Sequence, residues 1–419
     1  MTQLTAWPPR TRADCLALDQ ADPLAALRRR FALPPRTIYL DGNSLGALPR
    51  DTPAHLAAVV REQWGRGLIR SWPAAGWIDA PRRVGDKIGR LIGARRGEVV
   101  VCDSVSVNLY KLLAAALRLR PRRRTILCEA GDFPTDRYIA EGLVDRLGDG
   151  YRLRCVAPTR LAAALDRDTA VLLLSHVNYR SGAMHDLAGL TAAAHRSGTL
   201  VLWDLSHSAG IVPLRLAAAE VDFAVGCGYK FLNGGPGAPA FAYVARHLQP
   251  RLVQPLHGWF GHARPFAFTA DYRPAAGIDR LLVGTAPILG LAALESAIDL
   301  LLQVPIRQLR EKSLRLSTLL IRRIQGELQH YGLSIVTPSH QARRGSQVSL
   351  RHRRAWPICQ ALIAAGVITD FRAPDVLRFG LAPAYLRYVD AWDAITRLRR
   401  IMRTEAWRDR QYARRSRVT

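Results

Sequence analysis

Any chemistry that needs an amine nucleophile has four places to happen in this sequence. Lys87, Lys111, Lys230 and Lys312 are its lysines, set against 56 arginines. Lys230 stands apart. An apolar run, VDFAVG, delivers Cys-Gly-Tyr-Lys directly in front of FLNGGPG, so the lysine sits at a strand end among apolar and glycine neighbours with no solvated face. Desolvation lowers the pKa of an ammonium group and frees the amine to attack a carbonyl. Lys87 and Lys312 lie among charged helical neighbours and Lys111 follows a helix start, all ordinary settings. About two dozen residues before Lys230, the segment TLVLWDLSHSAG reads as a strand that ends in Asp204, with His207 three residues on. A carboxylate at the end of a buried strand is costly unless paired. Taken alone, Asp204 reads as a helix cap or a salt bridge.

The elements that must position these residues alternate. Short apolar runs at 98–102, 125–129, 170–175, 199–204, 223–226 and 240–244 read as strands. Stretches with helical spacing at 107–119, 136–147 and 187–195 lie between them. Such alternation predicts an α/β fold with a largely parallel sheet covered on both faces. Ligands in such sheets bind at the carboxyl ends of the strands, where Asp204 and Lys230 stand. From about residue 287 the pattern changes to long amphipathic helices at 288–302 and 306–330, then a smaller α+β region. The expected organisation is an N-terminal segment, 1–60, packing with a small C-terminal α+β domain, 301–419, and a large domain over 61–300.

The order strand–Asp–x–x–His, then strand–Lys, resembles the core of fold-type-I pyridoxal 5′-phosphate (PLP) enzymes. In that family the Asp keeps the pyridine nitrogen protonated, so that the ring acts as an electron sink. Seven further segments, in order, resemble the kynureninase family: YLDGNSLGALP at 39–49, SVSVNLYKLL at 104–113, FPTDRY at 133–138, SHVNYRSG at 175–182, GYKFLNGGPG at 228–237, GWFGH at 258–262 and VGTAPI at 283–288. The resemblance covers most of the chain. It implies PLP-dependent hydrolysis of L-kynurenine, and possibly of 3-hydroxykynurenine, to anthranilate and L-alanine in tryptophan catabolism. IRSWPAAGW at 69–77 has a bacterial look and inclines this reading to kynurenine over its 3-hydroxy form.

The resemblance also assigns roles. Lys230 is the Schiff-base lysine, Asp204 the pyridine partner, and Tyr229 a phosphate ligand and proton donor, with His207 beside them. Val105 and Ser106 match the phosphate site; the family usually has Thr at the latter position, and Ser keeps the hydroxyl. They lie where a strand gives way to a helix beginning near Val107, a ready anion site, although Ser106 reads equally as an ordinary N-cap. Phe133 matches a residue stacked on the ring, and Asp136 and Ser175 match further cofactor contacts, while FPTD also reads as a plain helix start. Trp259 and Thr285 match residues that reach the phosphate of a neighbouring subunit, which implies a homodimer with active sites at the interface. Trp259, bounded by glycines, also reads as a loop anchor. Arg378, in VLRFGLAPAYLRY, matches the arginine that binds the α-carboxylate of the small amino-acid substrate, a bidentate task that suits a guanidinium. His55, Trp64, Trp72 and Asn43 lie in segments suited to line an aryl pocket.

Composition closes off other classes. The net charge is +26, but the arginines are spread along the chain, and their short clusters at 28–30, 122–124 and 414–417 lack the interleaved aromatics that stack on bases. Nucleic acid is therefore not the expected partner; a basic binding protein on a dead enzyme fold is the rival from another class, and intact Asp204, Tyr229, Lys230 and Arg378 speak against it. The six cysteines, at 15, 102, 128, 155, 227 and 359, form no CxxC pair and read as buried free thiols rather than a metal or disulfide framework. No apolar run is long enough to span a membrane, and the N-terminus lacks the pattern of a secretory signal; a cytoplasmic location is the default. The rival within the class is another reaction on this scaffold, that of a cysteine desulfurase-like lyase or an aminotransferase. A desulfurase needs a reactive loop cysteine, and the C-terminal region has only Cys359, in the apolar pattern AWPICQALI.

Overall fold

The structure is a computed structural model and describes residues 7–415. The first six residues of the N-terminal segment and the end of the 414–417 arginine cluster lie outside the described residues. The chain divides into a large unit, 51–179 with 185–303, and a small unit, 1–50 with 180–184 and 304–419.

The large unit is built on a seven-stranded sheet. Its strands in chain order are β1 (Val99–Val101), β2 (Thr125–Glu129), β3 (Arg152–Val156), β4 (Thr169–Ser175), β5 (Leu200–Asp204), β6 (Phe223–Gly226) and β7 (Phe241–Val244). Their spatial order is β1-β7-β6-β5-β4-β2-β3. β7 runs antiparallel to both its neighbours, and the remaining pairs are parallel. Every residue of β4 and β5 is buried, as expected of parallel strands with helices on both faces. Its longer helices are α1 (Ala80–Ile92), packed on β1, α2 (Val105–Leu119), packed on β4, β5 and β6, α3 (Pro134–Leu147), packed on β3, α4 (Leu187–Arg196), packed on β5, and α5 (Ile288–Leu301).

Two local features differ from the sequence reading. β3, RLRCV, is not anticipated, because it is a half-exposed edge strand whose arginines interrupt the apolar pattern. The helix expected from Val107 begins at Val105, and its cap is Ser104, whose Oγ accepts from the Val107 N–H at 3.3 Å. The N-cap reading of Ser106 is therefore corrected: Ser106 is inside the first turn and its hydroxyl is not spent on the cap.

The small unit holds a four-stranded antiparallel sheet of β8 (Ser334–Ile335), β9 (Gln347–Arg351), β10 (Asp370–Arg372) and β11 (Val376–Gly380) in the order β8-β9-β11-β10. It carries α6 (Ile306–Glu327), α7 (Ala355–Ala364) and α8 (Tyr388–Arg403). α6 ends three residues before the expected 330, where the chain turns through a short 3-10 segment into Gly332 at φ 77°. A parallel pairing of Ile38–Tyr39 with Val367–Ile368 ties the N-terminal segment to this unit. Among the described residues, no single helix is long and apolar enough to cross a membrane.

Candidate active site

In the large unit, the carboxyl ends of the parallel strands bring the chemistry together. β4 ends at Ser175 and β5 at Asp204, opposite each other in register, and β6 leads through Cys227 and Gly228 into Tyr229 and Lys230. The turn that carries the lysine closes with the Gly234 N–H donating to the Gly228 carbonyl at 2.9 Å. Gly228 is required here: a Cβ would stand 2.5 Å from the Pro239 carbonyl oxygen.

Lys230 is set apart from the other lysines by its partners. Lys87 pairs with Glu295 and Asp299 at 2.8 Å each, Lys111 with Asp103 at 2.6 Å, and Lys312 with Asp22 at 2.6 Å. Among the described residues Lys230 forms no ion pair within 4 Å; its Nζ lies 3.1 Å from His207 Nε2 and over the rings of Phe133 and Tyr229 at 5.8 and 5.9 Å. The ordinary reading of Lys111 is corrected: it is fully buried in α2, and it donates also to the Leu281 carbonyl at 2.7 Å.

Asp204 is buried and accepts from the Ser206 N–H at 2.7 Å, so it acts in part as a cap of the turn that follows. Asp136, in the first turn of α3, is its buried neighbour. Neither carboxylate oxygen of Asp136 accepts a hydrogen bond from a described residue. Burial first, then the charges of Asp204 and Asp132, push its carboxyl well above the usual range. The buried Asp136 carboxyl thus favours its neutral form more than a free carboxyl does. The phenol of Tyr229 is also pushed up, chiefly by burial, and stays protonated.

Asp132 is a positioning residue that the sequence reading passes over. Its buried carboxylate accepts from the N–H groups of Phe133 and Ser175, both at 2.8 Å, and so fixes the start of α3 against the end of β4. Desolvation raises its carboxyl to about 6. An Asp one residue before a Phe-Pro helix start is the local signal that points to it. Phe133 itself packs edge-on to Tyr179, ring centroids 5.2 Å apart. At the start of α2, Val105 and Ser106 are half-buried.

Trp259 and Thr285 stand elsewhere in the large unit. Thr285 is exposed. Trp259 packs on Phe260, Phe266 and Phe268 with centroids 4.9, 5.6 and 6.2 Å away, and Phe266 and Phe268 are largely exposed. Of the aryl-pocket candidates, Trp72 packs against Phe260 at 5.9 Å, whereas His55 and Trp64 face solvent. Asn43 belongs to the small unit, where its amide donates to Gln347 Oε1 at 2.9 Å.

Also in the small unit, Arg378 on β11 is fully buried. Its Nε donates to Asp370 at 2.6 Å, and its Nη2 reaches both Asp370 and Ser44. One edge of the guanidinium is thus committed to a protein carboxylate. Ser44 and Asp41 come from the YLDGNSLG segment, which bridges to Gly380. Burial, followed by the charge of Asp370, lifts the Asp41 carboxyl to about 7.

The chain is similar to known proteins along most of its length. Residues 309–398 match the model of the kynureninase C-terminal domain. The chain is 50% identical over 414 residues to a kynureninase of Pseudomonas fluorescens and 49% identical over 415 residues to one of Burkholderia pseudomallei, in each case across 98% of this chain and the whole of the relative. Among solved structures, the apo cysteine desulfurase of Thermococcus onnurineus superposes with a TM-score of 0.78 at 15% identity, over 91% of this chain and 98% of that one. A C-DES variant with glycine covalently linked to its PLP cofactor superposes at 0.77 with 19% identity, over 89% and 98%. Those two likenesses show the fold, that of fold-type-I PLP enzymes. Identity near one half along essentially the full length shows more: the chain belongs to the kynureninase family.

Proposed function

We propose that this enzyme hydrolyses L-kynurenine to anthranilate and L-alanine, in preference to its 3-hydroxy form, with PLP attached through Lys230. The observation that carries the assignment of Lys230 is its setting: among the described residues it alone of the four lysines forms no ion pair within 4 Å, and it stands beside His207 and Phe133 one strand from Asp204. The donor set fits the cofactor. Asp204 and Asp136 form a buried acidic pair, and both Asp136 oxygens lack a partner among the described residues, which suits a cationic ring nitrogen. The first turn of α2 presents backbone N–H groups and an unspent Ser106 hydroxyl, suited to a phosphate.

When bound, PLP supplies an electron sink for negative charge that develops on the substrate carbons. Asp204, with Asp136 as its buried neighbour, would hold the proton on the ring nitrogen that sustains the sink. Phe133, Ser175 and His207 would hold the ring, and Val105, Ser106 and Tyr229 would hold the phosphate. Lys230 would hold the cofactor and, as a free amine, would remove the Cα proton. Tyr229 keeps its phenolic proton at neutral pH and returns it to the carbon left after water adds to the γ-carbonyl and the Cβ–Cγ bond breaks. Arg378 would take the α-carboxylate, with Asp370 holding its guanidinium in place. The enzyme works as a cytoplasmic homodimer in which Trp259 and Thr285 serve the partner's phosphate; the exposed Phe266 and Phe268 beside Trp259 support an interface there.

The test is to incubate enzyme, PLP and excess kynurenine with no keto acid, following anthranilate fluorescence together with alanine. Sustained turnover with equal amounts of the two products is expected. A single stoichiometric burst, as a transaminase would give without its second substrate, refutes the reading.

A further inference from the structure

Two thiols outside the site lie in contact. Cys128 on β2 and Cys155 on β3 are Cα partners on adjacent parallel strands, so their side chains emerge on the same face of the sheet. Paired strands run roughly 4.8 Å apart, within the roughly 4.4–6.8 Å between Cα atoms that a disulfide spans. Their Sγ atoms are 2.6 Å apart, closer than two separate sulfurs rest. Both cysteines are free; Cys128 is fully buried, whereas Cys155 lies on the half-exposed edge strand.

We propose that Cys128 and Cys155 form an oxidisable dithiol that a hydroperoxide converts to a cross-strand disulfide. Access assigns the order of events. Cys155, on the open edge, meets the peroxide: its sulfur attacks the O–O bond, is oxidised to a sulfenic acid, and releases one water. The Cys128 sulfur then attacks the sulfenic sulfur, forming the S–S bond and expelling hydroxide, which leaves with the Cys128 proton as a second water. Two thiols and one hydrogen peroxide thus become one disulfide and two waters. Burial and the neighbouring Cys155 push the Cys128 thiol up, which suits the second, resolving part rather than the first.

The bond would bracket residues 129–154, the excursion that carries Asp132, Phe133 and Asp136 into the active site. A covalent clip at the base of this excursion opposes its local unfolding. Oxidation therefore protects this segment without touching a group that meets the substrate.

The experiment treats the PLP-loaded enzyme with a small excess of hydrogen peroxide, alkylates the remaining thiols after unfolding, and maps peptides by mass spectrometry with and without dithiothreitol. The expected result is the loss of two alkylatable thiols per chain, a linked Cys128–Cys155 peptide pair lighter by two hydrogens, and full reversal by the reductant. The buried Cys15, Cys102, Cys227 and Cys359 stay alkylatable. In C155S, which retains kynurenine turnover, the linkage disappears and Cys128 remains reduced. In C128A, oxidation of Cys155 runs on to the sulfinic acid for want of a resolving thiol. Stepwise over-oxidation of Cys155 in the wild-type enzyme while Cys128 stays reduced, or two intact thiols under peroxide that oxidises methionine, overturns the proposal.

Discussion

Lys111→Met isolates a contribution that the fold makes to the cofactor site from a distance. Lys111 is fully buried and donates to the Asp103 carboxylate at 2.6 Å and to the Leu281 carbonyl at 2.7 Å. Methionine fills the volume of the stem but donates nothing. Leu281 is itself fully buried, so its carbonyl loses a donor that water cannot replace, at about 1–3 kcal/mol. Breaking a fully buried ion pair costs about 3–5 kcal/mol, but the Asp103 side chain is 29% exposed and water recovers part of that. The sum is about 3 kcal/mol, which lowers the Tm of a domain of this size by roughly 6–12 °C. The effect also reaches the phosphate site. Asp103 sits at φ 50°, a left-handed conformation uncommon outside glycine, one residue before the Ser104 cap of α2. With its anchor gone, the first turn of α2 loosens and PLP affinity falls on the order of tenfold. Thermal unfolding of the PLP-free protein measures the first effect, and PLP titration followed by absorbance measures the second. A Tm within about 1 °C of wild type together with unchanged PLP affinity refutes the reasoning.

Lys230→Ala abolishes turnover, and borohydride no longer fixes the cofactor to the chain; covalent fixation in that variant, checked by mass spectrometry, would sink the assignment. Asp204→Ala lowers kcat by about 100-fold or more even where PLP still binds, since it removes the carboxylate that sustains the electron sink; near-normal kcat contradicts it. Arg378→Lys raises KM by roughly tenfold or more because a point charge replaces a planar fork, and it also disturbs the pair with Asp370; an unchanged KM moves the carboxylate site elsewhere. The buried Asp132, lifted from 3.8 to about 6, binds its proton more tightly folded than unfolded, so its contribution to stability is present below pH 3.8 and is lost as pH rises to about 6, by about 3 kcal/mol. Denaturant unfolding of the PLP-free protein across that window reads the slope, which Asp132→Asn flattens; the same slope in both proteins counts against the buried charge.

What was legible in the chain follows from where periodicity is strong. β2 and β6 fall on the runs expected at 125–129 and 223–226, because both are bounded by turn residues and buried on both faces. β3 was not legible, since an edge strand with two arginines among five residues carries no apolar signature. Asp204 and Lys230 stand out by residue type at strand ends, and the structure brings them together with His207, Phe133 and Asp136. Lys111 was misread because a lysine two turns into a helix looks like a solvated face, and its partners Asp103 and Leu281 are set by loops and by a contact 170 residues away. The commitment of one edge of Arg378 to Asp370 was equally hidden, since it depends on the register of two antiparallel strands.

The solved structures that share this fold include a cysteine desulfurase, so the scaffold alone does not choose the reaction. The choice rests on which nucleophile the chain offers next to the electron sink. Sulfur transfer needs a thiol that ionises readily on an accessible loop. The C-terminal region offers Cys359, and the structure places it in the middle of α7, fully buried, with its sulfur against Thr369 and its thiol pushed up to about 12 by burial. A thiol in that state cannot take up sulfur from a substrate. Cys227, the cysteine nearest Lys230 in sequence, is buried against Ser206. What stands beside the amine instead is an imidazole and a protonated phenol, groups that move protons. Proton transfer coupled to the addition of water is what cleavage of a carbon–carbon bond next to a carbonyl requires, and the groups beside Lys230 suit that reaction better than they suit sulfur transfer.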